Sequence, residues 1–240
     1  MTRHTTLSVS IALILSSGVA MGGNLAEILQ QGEGNLASIT QINSDEPMTA
    51  AIATVGDGNN ANIVQDNSWF ADAAITQEGS ANQAEIVQDA FSDYSMATIE
   101  QVVGATHNAA SVLQSAAEES EAEVLQTDAA TSSAAITQED TLDARGLIRQ
   151  RGESNQAAIA NLNSWYTNAV VRQRGSDLIA SITQTNVSDS SRARIVQVGD
   201  SETATIEQSG AYLSRAIITQ RGVLNAASVL QFITDGARAE

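Results

Sequence analysis

Ala26-Glu27-Ile28-Leu29-Gln30 opens a pattern that recurs along most of the chain. Its skeleton, Ala-x-Ile-x-Gln, occurs 18 times in the 240 residues, with Ala first in 17 copies, Ile or Val second in all 18 and Gln third in 16. The third-position glutamines are Gln30, Gln41, Gln65, Gln77, Gln88, Gln101, Gln114, Gln126, Gln138, Gln150, Gln173, Gln184, Gln197, Gln208, Gln220 and Gln231, with Thr54 and Asn161 in the other two copies. None of the 54 positions carries a charge. Residues i, i+2 and i+4 of a strand share a face, so each copy aims a small, a branched and an amide side chain the same way. An amphipathic helix would need apolar residues at i, i+3, i+4 and i+7, which this pattern does not supply.

The third positions recur at a near-constant interval in which short and long spacings mostly alternate, as from Gln65 to Gln77, Gln88 and Gln101. The repeating unit is therefore a pair of strands, returning from Gln77 to Gln101 and again to Gln126, and nine pairs fit between Asn24 and Gln231. The tighter connection reads Gln-x-Gly-x-x-Asn-x-Ala, as from Gln77 to Ala84 and from Gln150 to Ala157. Gly reaches backbone angles closed to other residues, and Asn both tolerates them and bonds the turn backbone. Its bend residues are Gly32 and Asn35, Gly56 and Asn59, Gly79 and Asn82, Gly152 and Asn155, Gly175, Gly199, and Gly222 and Asn225. The longer connection varies and carries most of the aromatics.

The fold expected is all-β: a two-sheet parallel β-solenoid of about nine strand-bend-strand rungs over 24–231, with a short tail at 232–240. Stacked pairs place like residues over like residues at about 4.8 Å, for a length of roughly 40 Å. Gln above Gln can then bond amide to amide, which makes a buried polar row tolerable. No capping helix or polar cap is evident, so the end rungs read as templates for another copy.

Residues 1–22 read as an export signal: Arg3 and His4 precede an apolar run from Leu7 to Leu15, and small residues follow, with cleavage after Ala20 or Gly22. No other apolar run approaches the ~20 residues of a membrane span, so the mature chain is expected outside the cell without one. The net charge is −17 and there is no lysine, which disfavours nucleic-acid and anionic-membrane partners. Cysteine is absent, removing disulfides and thiolate metal sites.

The run from Asn24 to Gln231, with Gln-x-Gly-x-x-Asn-x-Ala joined to Ala-x-Ile-x-Gln, resembles the curlin repeat of curli fibre subunits. Ser or Asn six residues before the Gln, as at Asn24, Asn35, Asn59, Asn82, Ser95, Asn155 and Ser214, completes the likeness. The resemblance implies a secreted subunit of an amyloid-like fibre on a bacterial surface, serving biofilm matrix and adhesion. The implied partners are the chain itself, other curlin subunits, and a curli-type secretion apparatus with its chaperones. The chain departs from the family in having almost no targeting stretch before the first repeat and in having nine repeats where five are typical. The bend Gly is displaced between Gln101 and Ala110 and absent between Gln126 and Ala134, marking these bends as the expected weak part of the stack.

Charged residues are expected in bends or on outward strand positions. Residues 24–140 hold 19 acids and no base, whereas 141–240 hold 9 acids and 10 Arg. That asymmetry is expected to favour head-to-tail stacking, because two acidic ends repel. The segments Asn67-Ser68-Trp69-Phe70 and Asn163-Ser164-Trp165-Tyr166 read as loop anchors packed against the sheet edge rather than as an adhesive patch. Acidic turns such as Asp57-Gly58-Asn59 lack the glycine-rich nonapeptide of calcium β-rolls, so no metal or other cofactor is expected. Catalysis is not expected: His107 is the one histidine beyond the leader, and no nucleophile and base set is evident. The alternatives are a minor or nucleating fibre subunit and, from other classes, a β-helix carbohydrate-active enzyme or an ice-binding solenoid. The enzyme would need a cleft of clustered Asp, Arg or His, and the ice binder an unbroken outward Thr row. The positions before Gln instead run Leu29, Thr40, Ala53, Val64, Thr76, Val87, Glu100.

Overall fold

The computed structural model describes residues 23–42, 46–163, 165–186, 190–210, 212–232 and 238–239, and among them the chain is all β with no helix. The leader segment read at 1–22 lies outside the described residues. One sheet contains β1 (Leu25–Gln31), β3 (Thr49–Asp57), β5 (Asp72–Ser80), β7 (Met96–Thr106), β9 (Glu121–Ala130), β11 (Arg145–Glu153), β13 (Asn168–Ser176), β15 (Arg192–Asp200), β17 (Arg215–Val223) and the two-residue β19 (Arg238–Ala239), in that order. The other contains β2 (Leu36–Ile42), β4 (Asn60–Asp66), β6 (Gln83–Asp89), β8 (Ala109–Ser115), β10 (Ser133–Glu139), β12 (Gln156–Leu162), β14 (Ile179–Thr185), β16 (Thr203–Ser209) and β18 (Ala226–Phe232). Each odd strand and the even strand after it form one rung, and the rungs coil into a two-sheet parallel β-solenoid. The tail is not wholly separate, since β19 pairs with β17 through Arg215 with Arg238 and Ala216 with Ala239.

Every pairing is parallel and, apart from Thr54, Gly146 and Asn161, places like on like at the inward positions. Between β13 and β15, Ala169 meets Ala193, Val171 meets Ile195 and Gln173 meets Gln197. In the second sheet, Ala61, Ile63 and Gln65 meet Ala84, Ile86 and Gln88. Because side chains alternate with a period of two, a slip by a single position would turn this whole set outward. The Ala and Ile or Val side chains of both sheets form one continuous core. Only in the first and last rungs are its members partly buried: Ala26, Ile28, Ala227 and Val229.

The tight bends explain their glycines sterically. Gly56, Gly152, Gly175 and Gly199 all have φ between +112° and +148°. A Cβ on Gly175 would also lie 2.8 Å from the carbonyl carbon of Gly199, and closer still to its oxygen. The same obstruction recurs from Gly32 through Gly56 and from Gly152 through Gly199, so the missing side chain lets consecutive bends nest. Where the motif is interrupted, buried Ala105 and Ala129 take the glycine's place. The change is absorbed by register shifts between Gln77 and Gly79, between Val102 and Thr106, and between Gln150 and Gly152.

The longer connections correct the expected role of the aromatics. Trp69, Phe70, Tyr94, Trp165 and Tyr166 are exposed rather than packed beneath the sheet edge, and Phe70 stacks on Tyr94 of the next rung with ring centroids 5.0 Å apart. The inner side of the connection is already filled by small buried residues, Ser68, Ala71, Ser92 and Ser95 among them. Phe70, Tyr94 and Tyr166 sit at left-handed corners with φ of 52° to 54°.

Gly175→Ala is expected to destabilise the fold by about 3 kcal/mol or more, combining left-handed strain with displacement of the bend above. Gly58→Ala should cost only about 1 kcal/mol, because nothing lies within 4 Å of its added Cβ and Ala81 already occupies the equivalent corner at φ 55°. Urea unfolding midpoints of the two variants check the contrast; equal losses would contradict the nesting account.

Candidate self-assembly interface

The inward amides form two hydrogen-bonded columns. In the first sheet the side-chain Nε2 of Gln77 donates to Oε1 of Gln101 at 2.8 Å, and the pattern continues through Gln126, Gln150, Gln173 and Gln197 to Gln220 at 2.8 to 3.0 Å. In the second sheet Gln41, Gln65, Gln88, Gln114 and Gln138 are joined at 2.8 to 2.9 Å. After Asn161 the column resumes from Gln184 to Gln208 and Gln231. Gln30 is buried in the first rung beneath Thr54.

These amides also tie the sheets together. Gln65 donates across the interior to the carbonyls of Thr49 and Ala71, at 3.1 and 3.0 Å. Gln150 donates to Ser133 and Gln173 to Gln156, each at 2.9 Å. One NH2 group therefore makes a vertical and a transverse bond, which explains why a primary amide, with two N–H donors on one nitrogen, holds this position. Serine or threonine could supply only one.

Both departures from Gln leave gaps in the columns. Thr54 is too short to reach Gln77, and Thr54 Oγ1 and Gln77 Oε1 are both buried without a hydrogen bond. Asn161, one methylene shorter than Gln, has neither its Nδ2 nor its Oδ1 bonded.

A third column runs up the tight bends. Asn59 donates from Nδ2 to the carbonyl of Gly79 at 3.0 Å and accepts on Oδ1 from the backbone N–H of Asn82 at 3.1 Å. Asn35, Asn82 and Asn155 repeat the arrangement. The bend residues read from the motif omit two members, Asn108 and Ser132. Each stands six residues before a ladder glutamine, Gln114 and Gln138, and that spacing is the signal that would have found them. The asparagine column thus crosses both interrupted bends and changes instead at buried Leu178 and Glu202. Asn225 donates to Oε1 of Glu202 at 2.9 Å, while Oε2 has no hydrogen bond. Glu202 lies in a bend, as expected of a charged residue, but is buried there.

All these columns have a direction. The Gln side-chain donor belongs to the earlier rung and the acceptor to the later one in every ladder bond. At the ends of the sheets, β2 and β18 each have a strand neighbour on one side only among the described residues. His107 is exposed at a bend corner, and the described residues form no group of three or more His, Cys, Asp or Glu placed to hold a metal ion. No described helix is long and apolar enough to cross a membrane. Comparison with protein-family models and with curated proteins found no match.

Asn161→Gln should restore the second-sheet column from Gln138 to Gln184 and raise stability by about 1–2 kcal/mol, since it pairs the one ladder amide whose nitrogen and oxygen both lack partners among the described residues. Chemical denaturation of the full chain reads the change. A lowered midpoint would contradict the ladder as a source of stability.

Proposed function

We propose that this chain is a structural subunit of an extracellular, curli-type amyloid fibre that grows by end-to-end stacking and serves surface adhesion and biofilm matrix. The observation that carries the reading is the repeated, directional ladder, which in the second sheet runs from β2 to β18, each with one strand neighbour among the described residues. A second copy placed head to tail continues the second-sheet column: Gln231 of one copy stands where the next copy offers Gln41, with the same donor-to-acceptor sense that joins Gln208 to Gln231. Head-to-head placement sets like ends of the ladders together and joins the acidic ends. The partly exposed Ile28 and Val229 of the end rungs become core on stacking, so apolar burial acts in the same direction as the hydrogen bonds.

The repeated likeness to curlin sequences supports export and a cell-surface location, together with partnership with other curlin subunits and a dedicated secretion apparatus. In this reading the ladder glutamines and bend glycines are assembly residues, and the work they do is mechanical.

Purified mature chain is expected to bind an amyloid dye as it polymerises and to give fibre reflections near 4.8 Å along the axis and about 10 Å across it. A silent dye together with absent axial reflection would overturn the proposal.

A further inference from the structure

The ten arginines beyond the leader all fall on the sheet of odd-numbered strands, from β11 to β19, and none on the even-numbered sheet. Since the inward positions are Ala or Gly, Ile or Val, and Gln, nine of them, on β11 to β17, are exposed on one outer face. The same face over β1 to β9 carries Glu27, Asp72, Glu78, Glu100, Glu121 and Glu123, with no base. It is thus divided into an acidic and a basic half. The dividing line is marked by all three ion pairs found among the described residues: Arg145 with Glu121 and Arg149 with Glu123 at 3.2 Å, and Arg151 with Asp128 at 2.8 Å.

Away from that line the charges are unpaired. Arg172, Arg174, Arg192, Arg194, Arg215 and Arg221 make no ion pair or side-chain hydrogen bond, and neither do exposed Glu27, Asp72, Glu78 and Glu100. The basic half also sets like on like, with Arg149 beside Arg172 and Arg151 beside Arg174 in adjacent strands. Like charges directly opposite in a sheet cost stability, which an outside partner bearing carboxylates recovers.

We infer that this face is an interface with a second copy of the chain, the two odd-strand sheets packed face to face and antiparallel, the acidic half of each on the basic half of the other. The choice of direction follows from the charge pattern. A two-fold axis along the stack would set equal rungs together, acid on acid and arginine on arginine, whereas an axis along β9 sets β13 over β5 and β11 over β7. Arg174 and Glu78 each directly follow a ladder glutamine, and Arg149 and Glu100 each directly precede one, so both pairs meet at matching depth along the strands. Nine strands at about 4.8 Å and strands about 23 Å long offer roughly 900 Å² per copy. A standard stable interface takes about 800 Å² per partner. The interface is isologous, and it uses the side of the stack rather than the ends on which fibre growth depends.

The test is a charge exchange confined to β13 and β5. R172E/R174E and D72R/E78R are each expected to halve the mass per length of fibres measured by scanning transmission electron microscopy at low ionic strength. A 1:1 mixture of the two variants should restore it, because each then faces its complement. Dye-monitored growth should persist in both variants. Unchanged mass per length in the single variants, or no recovery on mixing, would overturn the interface. Loss of binding to a soluble polyanion such as heparin in R172E/R174E, with mass per length unchanged, would assign the arginines to an anionic polymer instead. Should no fibre form at all, the fibre reading fails separately. The same exchange is then read on the soluble chain by sedimentation, where native and mixed samples are expected as lateral dimers and a wholly monomeric native sample overturns the inference.

Discussion

A buried primary amide brings two N–H donors and an acceptor oxygen into a place without water, and it is costly unless all find partners. Along most of this chain the requirement is met because the next rung presents the same amide at the same height. Gln101 gives one N–H to Gln126 above it and the other to the carbonyl of Gln83 across the interior. Register, sheet spacing and the parallel sense of the strands are thereby fixed together. A slipped or antiparallel neighbour would bury the amide against Ile or Ala. The branched aliphatic residues drive burial, but they would accept many arrangements, and the amide columns select one of them.

The bends obey the same vertical logic. Gly175 is bare because the carbonyl of Gly199 occupies the space of a side chain, and Asn155 bonds that same layer through the carbonyl of Gly175. Each bend is therefore shaped by the bend above as much as by its own sequence. Positions such as Ala105 and Ala129, which lack the glycine, are admitted only with a shift of pairing.

What was legible from the chain followed from the strand period and from the repeat. Ala-x-Ile-x-Gln names its inward face directly, and the interval from one ladder glutamine to the next, as from Gln77 to Gln88, leaves room for a strand and a turn, so sheets, rungs and ladder positions follow. Other features depend on which residues lie above one another. The unpaired oxygen of Gln77 results from Thr54 one rung earlier, a relation between stacked strands that no local pattern displays. Glu202 resembles any surface acid until it is placed in the asparagine column, where it is buried. The arginines show as a bias between halves of the chain, and only after odd and even strands are sorted do they become one face. The aromatics misled because ring-bearing turns commonly pack inward, whereas here Ser68, Ala71, Ser92 and Ser95 fill that interior first.

The stacked structure requires that the ladder amides be held along the columns. Hydrogen exchange of glutamine side-chain NH2 groups, resolved by magnetic resonance on the labelled chain, measures that directly. The columns predict slow exchange, comparable to core backbone amides, for inward Gln88, Gln101, Gln126 and Gln150, beside rapid exchange at outward Gln83 and Gln156. Rapid exchange at all of them would mean that the inward amides are solvated, and the stacked structure argued from them would be wrong.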